Sequence, residues 1–252
     1  MTRPVTLITG ASAGLGAEFA RQCAARGEAL LLVARRRDRL EALKSEIGGD
    51  VHVIAADLAE AGAAESLMAQ VAAEGLAVAT LINNAGFGGG GAFAGQPLDR
   101  QREMIDLNVR TLTLLCHLAL GPMFERGKGA ILNVASTAAF QPGPGSAVYF
   151  ATKAYVLSFT EALHQELKGS GIKVSALCPG PTATEFGEVA GYRSKVPDFV
   201  SADARSVCEA GLRGLDRNQA VVIPGLFNKA TAQSSRFLPR ALIRRVVARL
   251  KA

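Results

Sequence analysis

The sequence predicts an α/β protein: a single domain built on a doubly wound, seven-stranded parallel sheet with helices on both faces. Three observations carry that expectation. Seven short, almost continuously apolar runs recur along the chain, as strands covered on both faces require. Longer helical stretches separate them, giving the strand–helix alternation of a parallel sheet. A glycine-rich turn follows the first run directly, where such sheets bind phosphates.

The runs are "VTLIT" (5–9), "ALLLVA" (29–34), "VHVIAA" (51–56), "VATLIN" (78–83), "AILNVAS" (130–136), "KVSALCP" (173–179) and "AVVIPG" (220–225). The intervening segments near 14–26, 36–48, 60–74, 98–126, 146–169 and 202–217 read as helices. No internal repeat and no Pro/Ser-rich linker divides the chain, and 252 residues suit one well-buried domain. Two segments leave the rhythm. Residues 180–201 form a long irregular connection of the kind that makes substrate lids. Beyond the 1–225 core lies a C-terminal extension, 226–252.

Composition narrows the class. Apolar residues make up 49% and charged residues 20%, as in soluble globular proteins. Cys23, Cys116, Cys178 and Cys208 are scattered without metal-ligand or redox spacing, so they read as reduced core thiols. No signal peptide is visible and no apolar run reaches the ~18 residues of a membrane span, so a cytoplasmic location is expected. His52, His117 and His164 stand far apart, and no metal is expected.

The net charge of +6 is localised. The last 17 residues, "RFLPRALIRRVVARLKA", hold five Arg, one Lys and no acid, while the other 22 basic residues balance 22 acidic ones. A nucleic-acid-coating surface is therefore excluded. On a helical wheel over 238–251, Leu238, Leu242, Ile243, Val246, Val247 and Leu250 fill half the circumference. Arg240, Arg244, Arg245 and Lys251 fill the other half, with Arg249 at the edge. Such a helix suits packing on the body, on a partner subunit, or on an anionic membrane surface.

The turn "TGASAGLG" places Gly10, Ser12, Ala13, Gly14, Leu15 and Gly16 between the first strand and a helix. Glycines let the backbone turn tightly and approach a pyrophosphate, while the helix start offers N–H groups and a positive dipole. The spacing is Gly-x3-Gly-x-Gly, not the commonest dinucleotide fingerprint. The second strand ends "LLLVARRRDRL". Ala34 stands where an acid would accept from a ribose 2′-OH, and Arg35 and Arg36 follow. With no carboxylate at that strand end and guanidinium forks available, NADP(H) is the expected cofactor. Arg35 is the first choice for its phosphate and Arg36 the second. Arg37 reads as the solvated start of the next helix.

Further motifs fall at strand ends or helix starts: Asp57 in "ADL", "NNAG" (83–86), Asn108, Ser136, Tyr149 and Lys153 in "YFATK", and "PGPTAT" (179–184). Tyr149 and Lys153 are four apart, about one helical turn, so phenol and ammonium share a face. Reducing a ketone needs a hydride on carbon and a proton on oxygen. A free tyrosine, with pKa about 10, is rarely a base near neutrality. Lys153 and an oxidised nicotinamide would favour the phenolate. A shift of about 3 units needs roughly 4 kcal/mol.

In order and spacing, with thirteen residues from Ser136 to Tyr149, this set resembles the short-chain dehydrogenase/reductase family from about residue 4 to 225. The resemblance implies a Rossmann fold and interconversion of a ketone or aldehyde with its alcohol. It implies Tyr149 as the acid/base, Lys153 tuning it and holding the nicotinamide ribose, Ser136 on the substrate oxygen, and Asn108 retaining a relay water. Asn84, Ala85 and Gly86 would line the cofactor's middle, Asp57 and Leu58 its adenine, and Pro179, Gly180, Thr182 and Thr184 its nicotinamide end. Asn83 reads as a brace between strands and Tyr155 as packing. The "ARRRDRL" segment looks like that of NADP(H)-preferring members, among them carbonyl, hydroxysteroid and 3-oxoacyl reductases. Phe140, Phe186, Tyr192 and Phe199 are expected near the pocket mouth, favouring an apolar carbonyl or alcohol substrate. The family commonly assembles as homodimers or homotetramers through helices matching 98–126 and 146–169. The rival, a non-catalytic dinucleotide-binding redox sensor or membrane-associated scaffold, would have no use for the full Ser-Tyr-Lys set.

Overall fold

A computed structural model describes residues 2–182, 202–235 and 237–251. Thr184 and the expected lid aromatics Phe186, Tyr192 and Phe199 lie outside the described residues.

The strands are β1 (Arg3–Thr9), β2 (Leu30–Ala34), β3 (Val51–Ala55), β4 (Leu76–Asn83), β5 (Gly129–Val134), β6 (Ile172–Leu177) and β7 (Val221–Val222). They form one seven-stranded sheet in the order β3-β2-β1-β4-β5-β6-β7, every neighbouring pair parallel. The order reverses between β1 and β4, so their carboxyl ends open the crevice where such sheets take ligands. All five residues of β2 are buried, which explains its unbroken apolar character.

The helices are α1 (Gly14–Ala25), α2 (Arg37–Ile47), α3 (Ala63–Ala73), α4 (Leu98–Ile105), α5 (Leu112–Glu125), α6 (Ala147–Glu166), α7 (Ala204–Asp216), α8 (Leu226–Ser234) and α9 (Arg240–Lys251). One sheet face carries Phe19 and Cys23 of α1, Leu40 of α2 and Leu212 of α7. The other carries Leu67 of α3, Leu115 of α5 and Val156 of α6. In α1, the buried Gly16, Phe19, Ala20 and Cys23 recur at helical spacing and fix which face packs. The Asp203 carboxylate accepts from the Ser206 N–H at 3.1 Å and caps α7. All four cysteines are free and buried.

The structure departs from the sequence reading in three places. The helix expected over 98–126 is interrupted by a π-type stretch, Asp106–Thr111, between α4 and α5. Strand β7 shrinks to two residues, because Pro224 has no N–H for a ladder and Gly225 turns away at φ 85°. The extension holds α8 as well as the expected tail helix, which starts after Pro239 rather than at Leu238.

The tail helix packs on the body. Ile243 and Val247 are buried against Phe87, Met104, Ala138, Tyr149 and Phe150 in a third apolar cluster, separate from the two sheet cores. Leu238, Leu242 and Val246, each near 45% exposed, face outward with exposed arginines. No described helix is long and apolar enough to cross a membrane.

Candidate active site

The floor of the site is backbone. The turn after β1 runs into α1, whose first residue follows Ala13, so no side chain caps the helix start and no acid sits in its first turn. That leaves a positive helix end without a competing carboxylate. Gly16 is required sterically. A Cβ there would run into the Gly10 carbonyl oxygen and lie 2.6 Å from Asn84 Nδ2. The turn is therefore locked against the end of β4. Thr9 Oγ1 accepts from the Asn84 and Ala85 N–H groups at 3.0 and 2.9 Å, and Asn84 Nδ2 donates to the Thr9 carbonyl at 3.0 Å. Thr9 and the side-chain role of Asn84 were not legible, since a Thr–Asn pair 75 residues apart leaves no local pattern.

Asn83 ties β4 to β5. Its Nδ2 donates to Asn133 Oδ1 at 2.9 Å, and Asn133 Nδ2 reaches Thr160 Oγ1 of α6 at 3.0 Å. This buried polar chain fixes α6 relative to the sheet, and α6 carries Tyr149 and Lys153.

The two arginines after β2 diverge. Arg35 Nη1 lies 3.3 Å from Glu103 Oε1 and 3.6 Å from Asp57 Oδ2. As read from the sequence, β2 ends on Ala34 without an acid, but α4 and the segment after β3 each bring a carboxylate to Arg35. Arg36 turns over the glycine loop, its Nη2 donating to Ser12 Oγ at 3.1 Å. Asp57 Oδ1 also accepts from the Ala59 N–H at 3.0 Å, and the buried Leu58 gives its carbonyl to Thr111 Oγ1 at 2.6 Å.

Around the tyrosine the expected residues come together. Lys153 is only 5% exposed, and its Nζ donates to the Val134 carbonyl at 2.7 Å, two residues before Ser136. The same Nζ lies 5.9 Å from the centre of the Tyr149 ring. Burial strips water from the ammonium and lowers its pKa from 10.5 to about 8. Neighbouring Cys178 is pushed up to about 12 by burial and remains a neutral thiol. Ser136 Oγ accepts from the Ala138 N–H at 3.1 Å, and its hydroxyl makes a long 3.5 Å contact to the Pro179 carbonyl.

Asn108 sits in the π-type stretch. Its Oδ1 accepts from the Phe87 N–H at 3.1 Å, while Nδ2 donates to the Phe87 carbonyl at 3.0 Å and to Thr152 Oγ1 at 3.1 Å. The amide is a clamp joining the loop after β4 to α6, one residue before Lys153. A Cβ on Gly86 would stand 2.9 Å from Asn108 Oδ1 and 3.5 Å from Lys153 Nζ, so Gly86 borders both.

At the far end, Thr137 N–H donates to the Pro179 carbonyl at 2.9 Å. Thr182 Oγ1 donates to the Gly180 carbonyl at 3.0 Å, and Gly180 abuts Asn228 of α8. Phe140, partly buried, packs against the large core. Phe150 lies edge-on to Tyr149 at 6.0 Å between ring centres. Tyr155 is stacked on Phe159 and bonded to Thr113 at 3.0 Å. Among the described residues no cluster of His, Cys, Asp and Glu could hold a metal ion.

Comparison with known proteins agrees with this geometry. Residues 4–192 match the model of the short chain dehydrogenase family. A sulfoacetaldehyde reductase of Chromohalobacter salexigens is 42% identical over 71% of this chain and 72% of its own. A short-chain dehydrogenase from Sphingobium yanoikuyae, solved in complex with NADPH, superposes with a TM-score of 0.84 at 35% identity, covering 95% of this chain and 94% of that one. A bulky-bulky ketone specific alcohol dehydrogenase from Comamonas testosteroni gives 0.77 at 31% identity, covering 96% and 97%. The chain therefore belongs to the short-chain dehydrogenase family.

Proposed function

We propose that this protein is an NADP(H)-dependent oxidoreductase that interconverts an apolar ketone or aldehyde with its alcohol. The observation that carries the reading is the buried Lys153 ammonium, held on the Val134 carbonyl one helical turn from Tyr149. An ammonium with a pKa of about 8 is largely charged at neutrality, yet it releases a proton at modest cost. Each property serves one half of the reaction.

The dinucleotide, when bound, supplies or accepts the hydride. The phenol of Tyr149 gives its proton to the carbonyl oxygen as the carbon is reduced. Ser136 releases its long contact to Pro179 and donates to the same oxygen, stabilising its developing charge. Lys153 stabilises the phenolate left on Tyr149 and returns a proton to it, and the Asn108 backbone retains the water that refills Lys153 from solvent. The Asn108 side chain holds Phe87 and Thr152 and so fixes α6 beneath the substrate.

The residues present fit the cofactor. The uncapped start of α1 and the glycine turn locked against the end of β4 suit a pyrophosphate, held by Gly10, Ser12, Ala13, Gly14, Leu15 and Gly16. Arg36, already turned onto Ser12, is the better placed guanidinium for the 2′-phosphate, and Arg35 is the second. Asp57 and Leu58 border the adenine. The Asn84 amide is spent on the turn, so Asn84, Ala85 and Gly86 line the crevice through their backbone. Pro179, Gly180, Thr182 and Thr184 serve the nicotinamide end.

The substrate class is supported by the cavity beside Tyr149. Among the described residues its lining includes Phe93, Met104, Val148, Gln96 and Gln101 and no charged side chain. That suits an uncharged carbonyl better than the anionic substrate in the sulfoacetaldehyde reductase's name. Assembly as a homo-oligomer is supported by exposed Phe124 on α5 and Tyr155 on α6, which sedimentation can test.

The deciding experiment follows NADPH oxidation over a panel of apolar ketones and anionic aldehydes. Wild type should turn over the ketones, and Tyr149→Phe should lose about a thousandfold in kcat while keeping its NADPH affinity. Near-normal turnover by Tyr149→Phe would overturn the reading.

A further inference from the structure

We propose that Glu103 is a specificity-determining residue for the cofactor: its carboxylate holds Arg35 away from the 2′-phosphate and so sets how strongly NADPH is preferred over NADH. This rests on the reading that Arg36 makes the first phosphate contact.

The corner beside Ala34 brings together two guanidinium groups and two carboxylates. Arg35 and Arg36 leave β2 in succession but turn to different partners. Arg36 Nη2 donates to Ser12 Oγ at 3.1 Å, on the glycine turn. Arg35 Nη1 reaches Glu103 Oε1 of α4 at 3.3 Å and Asp57 Oδ2 at 3.6 Å. The two acids have unequal roles. Asp57 is tied to its own turn, its Oδ1 accepting from the Ala59 N–H at 3.0 Å. In the proposed binding mode it borders the adenine, which NADPH and NADH share. Glu103 bears on Arg35, and through it on the group by which the two dinucleotides differ.

Glu103 is not a loose surface acid. Its Oε2 accepts from Arg100 Nη1 at 3.2 Å, about one turn back on α4. The Arg100 guanidinium lies 3.9 Å from the centre of the Phe87 ring. Asn108 in turn pins Phe87 through both its N–H and its carbonyl. Glu103 is thus gripped from behind by a cation seated on a fixed aromatic ring. An ion pair between two free side chains gains little, because both must be ordered. Here the acid is ordered already, and only Arg35 has to come to it. The exposures agree: the Arg35 side chain is 59% exposed and that of Glu103 28%.

Glu103 opposes a 2′-phosphate in two ways. The phosphate must displace the carboxylate to engage Arg35, and it must also approach a like charge that is held in place. NADH carries a hydroxyl there and meets neither obstacle. The acid therefore narrows the preference for NADPH that two arginines at this strand end would otherwise give.

The test titrates NADPH and NADH into the cofactor-free protein by fluorescence, so it needs no turnover. Glu103→Gln keeps the shape and removes the charge. It should raise the NADPH-to-NADH affinity ratio about fivefold, mainly through NADPH. Asp99→Asn removes the same charge from the same helix at a side chain 93% exposed, and should leave the ratio within about twofold of wild type. A double-mutant cycle separates this role from mere bracing of α4. Arg35→Ala should change the ratio less than about threefold in wild type. In Glu103→Gln, where the freed guanidinium becomes a phosphate contact, it should lower the ratio about fivefold. An unchanged ratio in Glu103→Gln, or equal effects of Arg35→Ala in the two backgrounds, overturns the inference. Arg36→Ala tells this apart from the reading beneath it. A ratio untouched by Arg36→Ala would end the assignment of Arg36 as first contact, and the Arg35–Glu103 cycle would still decide the role of Glu103.

Discussion

The two walls of the site are built from different materials. The cofactor side is strand ends, glycines and backbone hydrogen bonds, bracketed by Thr9, Asn84 and Asn83. The side proposed for the substrate is side chains drawn from five distant places in the chain, of which the last is a helix held by Ile243 and Val247. Backbone contacts within about 3 Å tolerate no added atom, while an aliphatic cluster tolerates changes in volume at a graded cost. One wall is therefore fixed and the other adjustable. That division suits an enzyme whose dinucleotide is constant and whose substrate pocket must be particular.

The strongest way to break this contrast is Gly16→Ala. The new methyl would enter the Gly10 carbonyl and crowd the Asn84 amide, neither of which can move without unlocking β1 from β4. NADPH affinity, titrated by fluorescence, should fall about a hundredfold or more, roughly 3 kcal/mol. Gly121, in α5, has open space where a Cβ would go. Gly121→Ala should bind NADPH normally and gain up to about 1 kcal/mol of stability. Equal tolerance of the two substitutions would show that the floor is not fixed.

The seam between the walls is Lys153, and pH separates its role from mere packing. Burial holds its folded pKa near 8 against 10.5 ordinarily. Between those values the unfolded chain binds more protons than the folded one, so this group's penalty fades and stability rises with pH. The buried thiols act oppositely at higher pH. Burial raises Cys116 from 9.0 to about 12, so the unfolded chain loses that proton first and stability falls. Subtracting Lys153→Met from wild type cancels the thiols. Denaturation of the cofactor-free proteins should show the difference shifting by about 3 kcal/mol towards wild type between pH 8 and 10.5. A difference independent of pH would mean that the ammonium is not desolvated.

The same contrast explains what the sequence disclosed. The sheet, the glycine turn, "NNAG" and the Tyr149–Lys153 spacing were legible because each is a local pattern tied to a local backbone requirement. The adjustable wall was not. Nothing near Ile243 or Val247 names Tyr149 as its neighbour, and the helical wheel showed one apolar half where the structure uses two stripes, one inward and one outward. The sequence named Asn108, but its amide clamp on Phe87 depends on a π-type turn that no residue in "DLNVRT" announces. The sequence named Arg35 and Arg36 together. Their order depended on Asp57 and Glu103, which only the folded chain brings to Arg35.

That order gives a smaller effect. Arg36→Ala should weaken NADPH relative to NADH about tenfold, or 1.4 kcal/mol, since a charge-assisted contact to the 2′-phosphate is lost. Arg35→Ala should change the ratio less than threefold, because its guanidinium already serves two carboxylates. The reverse order would restore Arg35 as the first phosphate contact.

The smallest effect belongs to the outward stripe of the tail. Leu242 and Val246 lie 45% and 46% exposed on α9, and Leu238, 45% exposed, stands just before the helix. Changing all three to serine removes apolar surface that already meets solvent, and serine's lower helix propensity costs only about 0.5 kcal/mol per residue. Among the described side chains Ile243 and Val247 seat α9, so turnover, and the kcat/KM ratio of a ketone with two bulky substituents to a methyl ketone, should stay within twofold of wild type. This null result is informative only beside the inward variant Ile243→Ala. If the outward triple variant moved the ratio as far as Ile243→Ala does, α9 would act through its overall helicity, and the adjustable wall would be the whole tail rather than two side chains facing the phenol.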